Sequence, residues 1–399
     1  SNNAAAAAAT SSSFGDGTNA SVSSSSNGTF LCWYQLHQLL SSALQQQQQS
    51  CSSEEDDDDI VKFGMEFISY EVDNTTGLVT VTCRTRNNNN NSEKEQQFHN
   101  STCRVLIGAD GVQSSVRRQL SSSVTYNGDD DEPEPEPEPE PGDDDDQPLA
   151  PIILNSYNRT IFRALVNIDT LEDDDDDSSP INNTITPPPA GTAVIYKSDT
   201  VGQIFKLWTA SDNALAVTAT VNGDEGDFAV RVWSAEEAKD KMRKAYADFA
   251  PEVRDLIGRI PASSIYANAV CDVDCLDVWS DGPVVTVGDA AHGMTPSLGQ
   301  GANVGLEDAA ELGYLLGGAL ADGDARDDSY ERVVGALNKF CSVRQERVRE
   351  IHAASRQQAL NKNKKDTTLG SFRQRNPAFF ERLYGWQPLR SVHSTSKST

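Results

Sequence analysis

Cysteine is scarce in this chain, which has seven in 399 residues, an odd number scattered along the sequence. A small secreted protein held together by disulfides has far more cysteine, so a disulfide framework is not expected. Cys271 and Cys275 form a CxxxC pair, but no second Cys or His pair follows at the spacing of a zinc site. We therefore predict two ordinary, part-buried cysteines and no metal site.

Basic residues and long apolar runs are missing where targeting signals would need them. The first Lys or Arg is Lys62, so the preceding residues have neither the basic start of a signal peptide nor the arginines of a transit peptide. No apolar run approaches the ~18 residues of a membrane span. These features favour an intracellular protein over a secreted one and predict no transmembrane segment. They leave the organelle and the oligomeric state open.

Acidic residues are plentiful but concentrated. The formal net charge is −27, and 24 acids lie in three blocks, at 54–59, 129–146 and 172–177. Like charges repel one another and stay solvated, so we interpret these blocks as loop insertions in an otherwise nearly neutral chain. Arg344 and its neighbouring arginines alternate with glutamates, as on a solvated helix face, so no nucleic-acid partner is predicted.

The first 150 residues divide by composition. Residues 1–29 are Ala, Ser, Asn and Gly tracts that bury too little apolar surface to order themselves, so disorder is predicted. Residues 30–128 begin with a helical leucine pattern and continue with strand patterns, among them a hairpin or meander with its turn at Asp73 to Gly77. A short apolar strand, Arg104 to Ile107, runs directly into the sequence Gly108-Ala109-Asp110-Gly111. Residues 129–150 form an extended acidic Pro/Glu linker.

The middle segment, residues 151–277, has a different pattern. Its apolar residues alternate as in the strands of one antiparallel sheet. The predicted strands run from Ile161 to Ile168, Thr192 to Tyr196, Gln203 to Thr209 and Ala214 to Val221. Ser234 and Glu237 then form a capping box that starts a helix.

An α/β pattern returns in residues 278–357. The strand Val284 to Val287 leads through a glycine turn to a helix at about Gly301 to Leu320. A long amphipathic helix follows at about Ser329 to Ser355. The tail, residues 358–399, is basic and predicted to be mostly irregular.

The segment from Gly288 to Asp308, GDAAHGMTPSLGQGANVGLED, carries the clearest chemistry. A buried strand ends at Gly288 and is followed by Asp289, a carboxylate suited to sugar or polyol hydroxyls. Pro296 would form a stiff apolar wall. Gly299-Gln300-Gly301 opens a helix whose free N–H groups favour a group that becomes anionic. These features fit a flavin, which has a ribityl chain and an anionic reduced ring.

Taken alone, the glycines of this segment are a weak signal, since a turn that packs a helix onto a sheet looks the same. The whole stretch, however, resembles the GD motif of the class A flavoprotein monooxygenases, the para-hydroxybenzoate hydroxylase-like family, at every fixed position. Upstream, GADGVQSSVR at 108–117 resembles the DG motif of that family. The motifs start 180 residues apart, with a sheet-rich segment between them, which is the order in the family. The likeness covers roughly residues 31–355.

The resemblance implies an α/β fold with an α+β insertion. A Rossmann-like FAD/NAD(P)-binding domain would be interrupted by an antiparallel-sheet substrate domain. The implied activity is FAD-dependent monooxygenation: NAD(P)H reduces FAD, and O₂ supplies the oxygen that hydroxylates an aromatic or similarly electron-rich small molecule, such as a polyene. Because the flavin performs this chemistry, no side chain is assigned as catalytic, and His292 is expected to pack or hydrogen-bond.

The resemblance also assigns cofactor contacts. Gly288 and Asp289 belong to the turn that binds the ribityl chain. The ring-lining positions would be Pro296, Gly299, Gln300, Gly301, Ala302 and Asn303. Asp110, Gly111 and Arg117 belong to the DG element, which in this family lies near the FAD pyrophosphate and takes part in NAD(P)H binding.

Two features depart from the family pattern. The N-terminal βαβ unit of the family is missing, since no GxGxxG run precedes Gly108 in this sequence. Half of the ADP site, which that unit would form, is therefore missing as well. Trp33 stands where a helix of the family commonly has an arginine that helps to hold the cofactor. Two alternatives therefore stay open, a flavin-dependent epoxidase or reductase of the same superfamily and an inactive FAD-binding fragment.

The substrate is not encoded in any motif, nor is the choice between NADH and NADPH. The resemblance implies that the middle sheet lines the substrate pocket. Residues such as Phe205, Leu207 and Trp208 are as suited to the core as to ligand contact.

Overall fold

The computed structural model describes residues 11–13, 19–24, 40–44, 61–85, 97–125, 152–170, 186–189, 192–198, 203–223, 233–321, 329–361 and 369–389. The three acidic blocks, the Pro/Glu linker and Trp33 lie outside these residues. The chain divides into two compact units. The first unit contains residues 1–60, 156–270 and 362–365, and the second contains residues 61–155, 271–361 and 366–399.

The described strands and helices are numbered in chain order. The strands are β1 (Ser11–Ser13), β2 (Asn19–Ser24), β3 (Met65–Val72), β4 (Val79–Thr85), β5 (Phe98–Cys103), β6 (Leu106–Gly108), β7 (Asn155–Asn167), β8 (Thr192–Lys197), β9 (Ile204–Ser211), β10 (Ala214–Asn222), β11 (Ile265–Asp272), β12 (Ser280–Asp281) and β13 (Val284–Thr286). The helices are α1 (40–44), α2 (Ser115–Thr125), α3 (Ala235–Ala245), α4 (Pro251–Arg259), α5 (Asp289–His292), α6 (Gly301–Ala321), α7 (Ser329–Asn361), α8 (Leu369–Arg375) and α9 (Pro377–Tyr384).

The first unit is built on one large sheet, with strand order β1-β2-β8-β9-β10-β7-β11. Each neighbouring pair from β1 to β7 is antiparallel, which confirms the predicted sheet of the middle segment. The edge strand β1 and its neighbour β2 lie in residues 1–29, so the prediction of disorder does not hold for them. Composition missed them because a strand can pair through backbone hydrogen bonds without apolar side chains.

One face of this sheet packs against α3 and α4. The side chains of Phe205, Leu207 and Val217 point to this face and are buried there with Met242 and Tyr246 of the helical segment. The Tyr246 hydroxyl donates to the carbonyls of two strands, so the helix is anchored to the sheet. The predicted capping box at the start of α3 is confirmed. Trp208, adjacent in sequence to Leu207, points to the opposite face because side chains alternate along a strand.

The second unit contains two small sheets, β3-β4-β5 and β12-β13-β6. The predicted hairpin is confirmed, with the N–H of Gly77 donating to the carbonyl of Asp73 at 2.7 Å. The third strand, β5, was not predicted, because its sequence FHNSTC lacks an apolar alternation. Helix α2 packs between the sheets through Val116 and Leu120.

Helices α6 and α7 form the other core of this unit, together with α8 and α9. The last two helices overturn the prediction of a mostly irregular tail for residues 369–384. Pro377 starts α9, and Phe372, Phe380 and Leu383 are buried in the core, which stabilises these two short helices. None of the described helices is long and apolar enough to cross a bilayer.

Candidate functional site

The site forms where two parallel strands end. β6 and β13 pair in parallel, with Leu106 opposite Val284 and Gly108 opposite Thr286. The ladder continues into the next residue, since the N–H of Val287 donates to the carbonyl of Gly108 at 3.0 Å. Each strand runs directly into one of the two sequence motifs. Motifs that start 180 residues apart in the sequence therefore meet at the carboxyl edge of one sheet.

The first motif is a tight turn into α2. The carboxylate of Asp110 accepts the N–H of Ser115 at 2.7 Å and that of Val116 at 3.3 Å. Gly111 has a φ of +82°, which favours glycine. A Cβ on Gly108 would lie 2.7 Å from Cγ1 of Val116, so this glycine lets α2 approach the strand. In this geometry the Asp110 carboxylate accepts hydrogen bonds from the first two N–H groups of α2.

Arg117 ties the first motif to the second. Its guanidinium donates to the carbonyls of Ala290 at 3.4 Å and Ala291 at 3.2 Å through Nη1, and to that of Asp274 at 2.6 Å through Nη2. Desolvation lowers the pKa of Arg117 from its ordinary value, and the neighbouring acidic groups oppose that shift. Arg117 thus positions the turn that carries the second motif.

The second motif begins with a left-handed glycine. Gly288 has φ +57° and ψ −140°, a conformation that residues with a Cβ rarely adopt, and it turns the chain into α5. The next side chain, Asp289, is exposed, and its carboxylate has no hydrogen bond or ion pair to any described residue. A Cβ on Gly301 would lie 4.0 Å from its Oδ1. A free carboxylate therefore lies beside the first turn of α6.

A buried charge network lies behind this turn. The carboxylate of Asp308, whose side chain is 0% exposed, accepts the N–H of Gly288 at 3.0 Å, His292 Nε2 at 2.6 Å and Arg344 Nε at 2.8 Å. A carboxylate can only accept, so Nε2 of His292 carries the proton. Burial opposes ionisation of Asp308, but the contacts with His292 and Arg344 outweigh it and lower its pKa. The prediction that His292 packs and hydrogen-bonds is confirmed.

A second carboxylate extends the network. Glu307 receives two hydrogen bonds from Arg347, at 2.8 and 2.7 Å, and lies 2.8 Å from Nη1 of Arg344. Arg347 also donates to the carbonyls of Arg382 and Leu383 at the end of α9. The charges of Glu307 and Asp308 on α6 are thus balanced by arginines of α7, and Arg347 also holds the end of α9.

The interpretation of Arg344 as part of a solvated face was wrong, because its side chain is 0% exposed. The signal that could have placed it is helical spacing. Arg344 follows Leu337 and Phe340 at intervals of seven and four residues and precedes Val348 by four, and all three are fully buried. The sequence identified Asp308 only as the last residue of the motif and did not predict its hydrogen bonds.

The predicted ring-lining residues come together around the start of α6. Pro296, Gly299, Ala302 and Asn303 are exposed and Gly301 is part-buried. Gln300 is buried, and its Oε1 accepts Nδ2 of Asn303 at 3.2 Å. Asp110 and Gly111 follow the neighbouring strand β6, in the turn that leads into α2.

Comparison with known protein sequences connects this geometry to an enzyme class. The family described as FAD binding domain matches residues 188–334. The 3-amino-4-hydroxybenzoate 2-monooxygenase of Streptomyces platensis is 34% identical over 187 residues, 46% of this chain and 44% of that protein. Salicylate hydroxylase of Pseudomonas putida is 41% identical over 90 residues, 23% of this chain and 20% of that protein. The chain spans less than half the length of these curated relatives.

Solved structures share the fold. HpxO of Klebsiella pneumoniae, in complex with FAD and uric acid, gives a TM-score of 0.51 at 19% identity, covering 84% of this chain and 66% of that chain. A salicylate hydroxylase substrate complex gives a TM-score of 0.50 at 19% identity, covering 83% and 70%. The predicted fold class, an α/β FAD-binding fold with an antiparallel-sheet insertion, is confirmed.

Proposed function

We propose that this chain is a para-hydroxybenzoate hydroxylase-like FAD-dependent monooxygenase, and that it provides the flavin-ring side of an enzyme that hydroxylates an aromatic or similarly electron-rich small molecule. NAD(P)H and O₂ are the co-substrates. The observation that carries the proposal is the meeting of both motifs at the carboxyl edge of β6 and β13, with Asp289 free to bind a ligand.

The residues present fit a flavin. Asp289 offers acceptors to the ribityl hydroxyls, and it makes no competing contact among the described residues. The first N–H groups of α6 have no intrahelical acceptor, and the positive end of the helix dipole favours an anionic ring edge. Gly299 and Ala302 are exposed and small, so they leave room for a flat ring.

Bound FAD would take hydride from NAD(P)H and activate O₂, as a flavin cofactor does. The chain's part is to position it. Asp308 holds the N–H of Gly288, and Arg117 holds the carbonyls of Ala290 and Ala291, so Asp289 lies between two fixed points of the backbone. Preorganisation of this kind aligns the ring with a substrate and stabilises charge as it develops.

Flavin binding is tested by titrating the purified full chain with FAD and following flavin fluorescence. Asp289→Asn removes the charge and keeps the shape, and it should raise the Kd for FAD about tenfold or more, because charge-assisted hydrogen bonds are lost. Asp248→Asn is the matched control, since Asp248 is an exposed acid of the other unit and should leave the Kd unchanged. No flavin uptake by the wild-type chain, or equal Kd values for all three proteins, would contradict the proposal.

The reaction is tested by NAD(P)H oxidation with a panel of phenols and polyenes under isotopically labelled O₂. One labelled oxygen in a hydroxylated product supports the proposal. A labelled epoxide would assign the chain to the epoxidases, and NAD(P)H oxidation without labelled product would assign it to the reductases. A chain that binds FAD but consumes no NAD(P)H would be an inactive flavin-binding fragment.

A further inference from the structure

The loop between α5 and α6, residues 293–300, carries two of the predicted ring-lining positions. It contains neither helix nor strand. Pro296 and Gly299 are exposed, whereas Thr295 and Leu298 are buried, so the loop has an outer side and an inner side. A segment without regular structure has no ladder of backbone hydrogen bonds to fix its shape. The position of the two exposed residues therefore depends on what holds the inner side.

Ser355 of α7 holds the inner side through a reciprocal pair of hydrogen bonds with Thr295, which we call the Thr295–Ser355 latch. Oγ1 of Thr295 donates to the carbonyl of Ser355 at 3.1 Å, and Oγ of Ser355 donates to the carbonyl of Thr295 at 2.7 Å. Each hydroxyl has one proton to donate, and each proton is used on the backbone of the other residue. Thr295 is 1% exposed and Ser355 0%, so solvent does not compete for these bonds.

The Thr295–Ser355 latch is the hydrogen-bonded link between this loop and the rest of its unit. Among the described residues, positions 294–299 make no other hydrogen bond to a helix or strand, since the N–H of Gly299 donates to the carbonyl of Pro296 inside the loop, at 3.2 Å. Proline has no N–H, so Pro296 cannot be held by a backbone donor of its own. The latch fixes the residue directly before it. The backbone entering Pro296 is therefore set by Ser355.

The same face of α7 also supports the start of the loop. His352 precedes Ser355 by three residues, so the two side chains lie on one side of the helix. Nε2 of His352 donates to the carbonyl of Val273 at 2.9 Å, because a carbonyl can only accept. The N–H of Val273 in turn donates to the carbonyl of Gly293, the first residue of the loop, at 3.0 Å. One helix face thus holds the loop at two points, directly at Thr295 and indirectly at Gly293.

We infer that Ser355 is a positioning residue for the flavin, which acts through Thr295 on the loop that carries Pro296 and Gly299. This inference rests on the proposed function and extends the flavin site to α7, a helix to which the sequence assigned no cofactor contact. A loop that is fixed before the ligand arrives loses less conformational entropy on binding. The latch therefore tightens flavin binding without touching the flavin.

Hydrogen exchange of the full chain without FAD tests the latch itself. The double variant Thr295→Val with Ser355→Ala removes both hydroxyls, and the amides of residues 294–299 should exchange at least about tenfold faster than in the wild type. Thr295→Val alone should give a smaller increase, and Thr295→Ser, which keeps the hydroxyl, should match the wild type. Unchanged exchange in α3, in the other unit, shows that the variants are folded. Equal loop exchange in the double variant and the wild type would overturn the inference.

Titration of the same proteins with FAD, followed by flavin fluorescence, tests the consequence for the cofactor. The double variant should raise the Kd for FAD about tenfold or more and shift the visible absorption of the bound flavin, whereas Thr295→Ser should restore both. Ser280→Ala is the matched control, since it removes another side-chain hydrogen bond of α7, the 3.2 Å contact with Cys341.

Fast loop exchange with a wild-type Kd, or an equal rise of Kd in Ser280→Ala, would overturn the positioning role, because the first uncouples the loop from the flavin and the second reflects lower stability alone. No flavin uptake by the wild-type chain would refute the proposed function instead. The exchange rates, measured without FAD, would still decide whether Ser355 holds the loop.

Discussion

Replacing Asp308 by Asn should sharply lower the free energy of unfolding, because this carboxylate is fully buried and satisfies three donors. The donors are the N–H of Gly288, Nε2 of His292 and Nε of Arg344, at 2.6 to 3.0 Å. Asn has nearly the same shape, but its NH₂ group cannot accept, and the positive charge of Arg344 loses its partner on this side. Breaking a buried ion pair by removing one member costs about 3–5 kcal/mol.

The assay is urea denaturation followed by tryptophan fluorescence. Trp279 is a suitable probe, since it is fully buried and its ring lies 5.2 Å from that of His292. Asp277→Asn is the matched control in the same unit, because the Asp277 side chain is 98% exposed and its pair with Arg349 is solvated. That variant should unfold with the wild-type midpoint.

The difference between wild type and Asp308→Asn should also depend on pH. The pKa of Asp308 is lowered in the folded state, since His292 and Arg344 outweigh the opposing effect of burial. A lowered pKa stabilises the fold fully above the unfolded value of about 3.9, and this contribution is lost as pH falls through the folded pKa. The difference should therefore be constant near neutral pH and shrink below about pH 4. A loss under about 1 kcal/mol, or one equal to that of Asp277→Asn, would refute the network as a determinant of stability.

Two further substitutions test the junction between the motifs. Gly108→Ala should lower the free energy of unfolding by about 1–3 kcal/mol, because the new Cβ would lie 2.7 Å from Cγ1 of Val116. Adding Val116→Ala should restore part of that loss in urea denaturation, and no recovery in the double variant would rule out the clash as its cause. Arg117→Gln should weaken FAD binding in a fluorescence titration but leave the KM for NAD(P)H unchanged at saturating FAD, because Arg117 donates to backbone carbonyls of the flavin-side turn. A parallel rise of that KM would instead assign Arg117 to the nicotinamide nucleotide.

The sequence predicted the elements of the site better than their arrangement. The strands that end at Gly108 and before Gly288 were both expected, because a short apolar run followed by glycine is a local pattern. Their parallel pairing was not expected, since it joins residues far apart in the chain and leaves no local trace. The structure shows this parallel pairing in three residue pairs of β6 and β13.

The elements that the sequence missed share a physical cause. The polar strand β5 is held by pairing with β4, and α9 is held by aromatic residues that pack on a core built from other helices. Tertiary contacts outweigh local propensity in both cases. For Trp208 the sequence left its environment open, because the alternation of side chains cannot decide which of the two faces of a strand packs on the core.

The buried network explains why residues 288–308 act as a unit. Asp308 accepts the N–H of Gly288, 20 residues earlier, so the last residue of the segment fixes the first. The charge that makes this possible comes from Arg344 on another helix, outside the motif. The exposed Asp289 carboxylate is left without a hydrogen bond to the described residues, because buried residues fix the backbone on either side of it. Loss of a buried member should therefore weaken flavin binding through the geometry of the turn, without any contact to the flavin.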